Sequence, residues 1–256
     1  MDNQINEIII EIRAGAGGDE ASIFAGELVN MYQKYAQKRG WRFSIIDSNQ
    51  TTLGGYKTFI GKISAQGRPA SGGKGPGVYD SLKQESGVHR IQRVPATEKS
   101  GRVHTSTASV AILPVIEQKI FEINPNDLEI TFFRSSGPGG QNVNKVETAV
   151  RILHKPTGVV VASQTERSQN ANRENALTIL RSKLYEEMQR QQTSSLGALR
   201  KEQIGSMERS EKIRTWNFPD DRLTDHRIGK KWHNIQKILG GDLDSIIKTF
   251  WKDAPQ

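Results

Sequence analysis

The sequence runs to 256 residues, 35% of them hydrophobic, with 36 Lys and Arg against 28 Asp and Glu for a net charge of +8. That is enough apolar content for one large or two modest cores, and the positive excess favours a polyanionic partner, nucleic acid foremost. Cysteine is absent, which excludes disulfides, thiolate catalysis and cysteine-ligated metal sites, and no apolar run reaches the roughly 18 residues of a membrane span nor does a signal-like segment open the chain, so the expectation is a cytoplasmic protein without membrane contact.

The first element is a strand over Glu7 to Arg13, where β-branched residues cluster, followed by a glycine-rich turn and a helix over Ala21 to Arg39. Ile23, Phe24, Leu28, Met31, Tyr32 and Tyr35 form its apolar stripe, Asp19 and Glu20 fall at its start and Gly40 ends it. Strands are expected at 42–48 and 57–64, on either side of a Gly54-Gly55 turn. Residues 66–77 hold five glycines and two prolines with almost nothing to bury and read as a loop. Strands resume at 87–95 and 103–114, making Pro95 to Arg102 the tip of a long hairpin. A second unit begins near Ile116, with strands at 128–136 and 148–164, the latter split at Pro156-Thr157-Gly158. A charged helix follows from Arg173 to about Gln192, striped by Ala176, Leu177, Leu180, Leu184 and Met188. The tail carries the string from Arg209 to Ile228, with no element assigned to it, and a short apolar helix at 242–251. The pattern is α+β.

The charge is uneven: residues 134–215 hold 14 basic and 8 acidic side chains, a net of +6, leaving +2 elsewhere. That basic stretch contains Arg134-Ser-Ser-Gly-Pro-Gly-Gly-Gln141-Asn-Val-Asn-Lys145, in which three glycines and a proline surround one glutamine. Glycine permits left-handed backbone and lets another molecule touch the main chain, and Pro138 stiffens one side. Such a loop can present the Gln141 backbone N–H and side-chain amide as preorganised donors to negative charge developing on oxygen. Gly137-Pro138-Gly139-Gly140 alone reads as a surface turn; the wider string says more.

It resembles the Gly-Gly-Gln loop of the class I peptide chain release factors, which hydrolyse the ester of peptidyl-tRNA in the ribosomal peptidyl-transferase centre. Gly139, Gly140 and Gln141 match that loop residue for residue, Leu153 to Val161 resembles a second family string, and Glu166-Arg-Ser-Gln169 a third. The likeness extends from Glu11 to Leu28 through Ile213 to Gly229. The resemblance implies Gly139, Gly140 and Gln141 as the hydrolytic residues, Gln141 as a site of N-methylation by a glutamine methyltransferase, and neither cofactor nor metal. Partners would be the ribosome through its rRNA, the mRNA stop codon and the peptidyl-tRNA, met by a monomer.

Within that family, chains resembling bacterial release factor 1 carry Pro-x-Thr at the hairpin tip, as Pro95-Ala96-Thr97 does here, and this type reads UAA and UAG. A threonine hydroxyl both donates and accepts, which suits uridine and either purine. By the same resemblance His104 stacks between the second and third bases and Thr105 with Gln92 contacts the third, chemistry suited to unstacked RNA. Gly17 and Glu20 match the helix start that helps read the first uridine. Singly, His104 is a surface histidine, Pro95-Ala96-Thr97 a turn and Glu20 a helix-start charge; their joint order carries the resemblance. Arg167, Arg173, Arg181 and Lys183 read as a solvated face that in a ribosomal ligand meets rRNA phosphate.

Three features depart from the family. It normally places a helical domain before the strand at Glu11, absent from this sequence, and with that domain goes the expected contact with a class II release factor. The glycine-rich stretch 66–77 is longer than usual, and Gly137-Pro138 with Asn142 replaces the commoner Gly-Ala and His. The expectation is thus a discontinuous decoding unit, a mixed sheet with helices, formed by residues 1–115 and 206–256, with an α+β glutamine domain at 116–205 inserted. Its activity would be ribosome-dependent ester hydrolysis rather than that of a freestanding enzyme. The alternatives are codon-independent rescue of stalled ribosomes, for which the decoding hairpin has no use, and a ribosome-binding regulator without hydrolytic activity.

Overall fold

The computed structural model describes residues 5–65, 77–95, 98, 100–115, 123–135, 146–205 and 210–252. In chain order the elements are β1 (Glu7–Ala14), α1 (Asp19–Lys38), β2 (Arg42–Gln50), β3 (Tyr56–Ser64), α2 (Val78–Leu82), β4 (Gly87–Arg93), β5 (His104–Pro114), β6 (Leu128–Phe133), β7 (Ala149–His154), β8 (Val159–Ser163), α3 (Gln169–Ile204), β9 (Lys212–Asn217), β10 (Arg222–Asp225), β11 (Lys231–His233), α4 (Ile235–Leu239) and α5 (Asp244–Lys252). The chain is α+β, as its strand and helix patterning predicts. It divides into two compact units, one formed by Met1–Ile116 with Leu196–Gln256 and the other by Glu117–Ser195. Among the described residues no helix is long and apolar enough to cross a membrane.

The first unit is an eight-stranded sheet in the order β11-β10-β9-β4-β5-β1-β3-β2. Its ladders are antiparallel except for β4 on β9, where Arg90 meets Thr215 and Gln92 meets Asn217 in parallel. The helix α1 covers one face. Phe24, Leu28, Met31, Tyr32 and Tyr35 recur on its apolar side and are buried against Ile8, Ile10 and Ile12 of β1, Ile91 of β4, Val110 and Ile112 of β5 and Trp216 of β9. Each such side chain contributes about 1.5–3 kcal/mol on burial. Asp19 and Glu20 sit in the first turn, where the helix dipole favours carboxylates, and Gly40, at φ +70°, ends the helix with its N–H on Gln37 O.

A fully buried ionic cluster joins the helix, the strands and the tail. Arg214 on β9 pairs with Glu85 and donates from Nε to Asp225 Oδ2 at 2.8 Å, while Tyr32 OH donates to Glu85 Oε2 at 3.1 Å. His89 completes it: Trp216 Nε1–H donates to Nδ1 at 3.3 Å, and Nε2 lies 2.9 Å from Glu85 O. Only the neutral imidazole protonated at Nε2 satisfies both contacts. Burial, reinforced by the Arg214 charge, accordingly pushes His89 down to about 4.

The second unit is smaller, a three-stranded antiparallel sheet, β6-β7-β8, under the first half of α3. Val150, Ile152 and Val161 pack against Ala176, Leu180 and Leu184, three residues of the predicted stripe. The helix α3 is 36 residues long, much longer than the stripe alone predicts. It runs unbroken through Gly197 and ends at Gly205 in the left-handed region (φ +58°) with its N–H on Lys201 O. Its last turns lie in the first unit, where Arg200 pairs with Glu11 and Gln203 exchanges hydrogen bonds with the Ile112 backbone.

Candidate functional site

Two regions carry the candidate residues, one in each unit. In the second, Gly139, Gly140 and Gln141 lie outside the described residues, and the roots of their loop do not. The loop connects β6 to β7, whose facing ends pair Phe133 with Ala149, and the Arg151 guanidinium sits 5.4 Å from the Phe133 ring centroid.

Asn172, near the start of α3, fastens the far root. Its side chain is fully buried, and Nδ2 donates to Thr148 O and Glu166 O, both at 2.9 Å. Its Oδ1 accepts from Ser163 Oγ at 3.1 Å and from Glu166 N at 3.0 Å. All four amide valences of the side chain are therefore used. Gln169 adds a donation from Nε2 to Glu147 O at 2.9 Å. The stretch Glu166 to Gln169, picked out in the sequence only by resemblance, thus works through its backbone and one amide to hold residues 147 and 148. Asn172 carried no signal in the sequence, because a helical asparagine is ordinary until its burial is known.

In the first unit the ladders bring the glycine turn, β4 and β5 together. Gln92 stands opposite Thr105, and Arg93 opposite His104. Gly17, at φ +134°, lies directly on β5: a Cβ there would fall 2.2 Å from Ser106 Oγ, so no side chain fits. The turn is hydrogen-bonded to the same strand, with Gly15 N–H on Thr107 O at 2.8 Å, Thr107 N–H on Ala16 O at 2.8 Å and Ala16 N–H on Thr107 Oγ1 at 2.9 Å. The N-terminus of α1 is consequently anchored one residue from Thr105 along β5, and no side chain caps it.

Of the hairpin-tip residues, Ala96 and Thr97 lie outside the described residues, whereas Pro95 is buried and its carbonyl accepts from Glu98 N–H at 3.0 Å. Glu98 is a neighbour of His104 that sequence reasoning missed. One carboxylate oxygen lies 2.9 Å from His104 Nε2, and the other accepts from Ser100 N–H at 2.7 Å and from the Ser100 hydroxyl. The Ser100 hydrogen bonds, with His104 adding to them, hold the Glu98 carboxyl below its ordinary value. His104 is therefore exposed yet oriented.

Glu20 has a different setting from the one its place at the helix start suggests. It is 6% exposed, and its Oε1 accepts from Arg93 Nε at 2.6 Å. Arg93 also donates to both Glu27 oxygens at 2.7 and 2.9 Å, and its guanidinium lies 5.1 Å from the Phe218 ring centroid. The carboxylate ties α1 to β4, leaving backbone N–H groups as what this helix start offers to a ligand.

Residues 1–110 match the PCRF domain and residues 116–227 the RF-1 domain. Over 245 residues the chain is 54% identical to peptide chain release factor 1 of Thermoanaerobacter pseudethanolicus, covering 96% of this chain and 66% of that protein. Over 243 residues it is 51% identical to peptide chain release factor 1 of Streptomyces coelicolor, covering 95% and 68%. The chain thus spans about two thirds of the length of these relatives. Among solved structures it resembles RF2 of Thermus thermophilus with a TM-score of 0.57 at 34% identity, over 100% of this chain and 71% of that one.

Proposed function

Because this chain belongs to the peptide chain release factors, on the release factor 1 side of that family, we propose that it ends translation at UAA and UAG and triggers hydrolysis of the peptidyl-tRNA ester. The observation that carries the reading is the convergence in one small region of Gln92, Thr105, His104 with its Glu98 anchor, and the uncapped start of α1. A base lifted out of its stack would find an imidazole face and backbone donors on one side of the hairpin end and a hydroxyl and an amide on the other, the groups that single-stranded RNA recognition uses. Pro95-Ala96-Thr97 belongs to the same hairpin and is assigned to the first two bases.

Gln141 is assigned to the ester. Water attacks the carbonyl carbon that joins the peptide to the tRNA ribose. The Gln141 backbone N–H donates to the oxyanion of the tetrahedral intermediate, and the side-chain amide positions the water. The bond between the acyl carbon and the ribose oxygen then breaks, one proton of the attacking water goes to the ribose oxygen and the other to solvent, and the peptide leaves as a carboxylate. Gly139 and Gly140 let the main chain approach this closely. The partners are accordingly the ribosome with its rRNA, the stop codon and the peptidyl-tRNA, and Gln141 is the expected target of a glutamine methyltransferase.

The test is peptide release from ribosomes carrying labelled peptidyl-tRNA, with UAA, UAG, UGA, a sense codon or an empty A site presented in parallel. Release confined to UAA and UAG, and abolished by Gln141→Ala, is the expected result. Release on an empty A site without regard to codon would replace this reading with rescue of stalled ribosomes. Binding without release in the parent chain would replace it with a regulator that only occupies the A site.

A further inference from the structure

We propose that Arg90, Lys212 and His226, gathered around the Thr215 hydroxyl, form a site for a backbone phosphate of RNA. Arg90 Nε donates to Thr215 Oγ1 at 3.2 Å, and the same oxygen lies 2.7 Å from His226 Nε2. Thr215 is only 5% exposed, so the hydroxyl fixes the Arg90 guanidinium and the His226 imidazole from below. Lys212 reaches this side through a bulge. On the β4–β9 ladder Val88 meets Lys212 but Arg90 meets Thr215, so residues three apart on β9 share the side of residues two apart on β4. The bulge is built in: Gly87 (φ +139°) makes room for Ile213, whose Cγ2 would lie 2.6 Å from any Cβ at position 87. His226 is tied to the bulge by its N–H on Ile213 O at 2.8 Å.

What sets this group apart is its charge. Other basic groups set into this unit have carboxylate partners, Arg93 with Glu20 and Glu27, Arg200 with Glu11, and Arg214 with Glu85 and Asp225. Among the described residues none pairs with Arg90, Lys212 or His226. Asp225, the acid whose charge acts on His226, is already committed to Arg214 and Arg227. Partial desolvation, then Lys212, then Arg90, hold the His226 imidazole below its ordinary value, with Asp225 opposing. Arg90 spends only Nε on Thr215, so its two terminal nitrogens form a fork suited to two phosphate oxygens.

The ligand is RNA because of where the group lies. Alternation along β4 puts Gln92 on the same face, about 7 Å from Arg90, and Thr105 stands opposite it. A nucleotide held at Gln92 and Thr105 would bring its flanking phosphate to Arg90. The choice of RNA rests on the decoding role proposed for that strip.

The experiment measures binding of the full chain to ribosomes with UAA in the A site across a series of potassium chloride concentrations. Arg90→Gln and Lys212→Gln should each weaken binding and make the log–log salt slope shallower by about 0.7. Arg90→Lys should keep the slope, and Lys83→Gln, a cation already paired with Asp80 at 2.8 Å, should leave both quantities at parent values. An unchanged slope in both Gln variants would overturn the site, as would an equal change in Lys83→Gln. Should the parent bind without codon preference, the decoding reading fails, and the slopes still decide the phosphate site.

Discussion

Replacing Asn172 with alanine should loosen the second unit from the root of the glutamine loop outward. The substitution removes four hydrogen bonds at a side chain with no exposure. Thr148 O and Glu166 O lose a donor and the Ser163 hydroxyl can rotate, but the Glu166 N–H is left without its acceptor. An ordinary internal hydrogen bond is worth about 0.5–1.5 kcal/mol net, and an orphaned buried group costs about 1–3 kcal/mol. Because the four bonds share one side chain they do not add, and a total of about 2–4 kcal/mol is the expected loss. Amide hydrogen exchange reads it by region: protection should fall in β6, β7 and β8 and stay at parent level in β1 and β5, which lie in the other unit. Peptide release should drop while stop-codon binding remains, since Gln92, Thr105 and His104 are untouched. Unchanged protection in the small sheet, or equal losses in both units, would refute the argument that Asn172 holds residues 147 and 148.

Gly17→Ala forces a Cβ to within 2.2 Å of Ser106 Oγ at a φ of +134°, whereas Gly18→Ala, at φ +60°, meets nothing within 4 Å. The first should destabilise the first unit by about 1–3 kcal/mol more than the second, and equal urea midpoints would show that the contact with β5 is not limiting. His89 is held at about 4 in the folded protein against 6.5 unfolded. The unfolded chain therefore binds the extra proton between these values, so stability present above pH 6.5 should fall by about 3 kcal/mol as pH drops to 4. A His89 ring resonance titrating near 6.5 in the folded protein would contradict this. Glu98→Ala should weaken binding at UAA without moving the thermal midpoint, because Glu98 orients an exposed ring, whereas a shifted midpoint with binding intact would make its role structural.

Much of the protein was legible in the sequence because periodicity and turn chemistry act locally. The amphipathic stripe of α1, the glycine that ends it, the β4–β5 hairpin and the small sheet under α3 follow from residues only a few positions apart. The glutamine loop is different: its glycines and proline by themselves read as a surface turn, and only the resemblance of the wider string singled it out. The tertiary structure decided what depends on partners far along the chain. Nothing near Lys212 to Asn217 signals a strand parallel to β4, more than a hundred residues earlier, and only that pairing gathers Arg90, Thr215 and Lys212. The same holds for charge: Glu20 looked like a free helix-start carboxylate until Arg93 was placed against it, and Arg214, one basic residue among many, became the centre of a buried cluster. A local pattern says which face of an element is apolar; which distant side chain neutralises a charge depends on register, and register is set by the packing of the whole sheet.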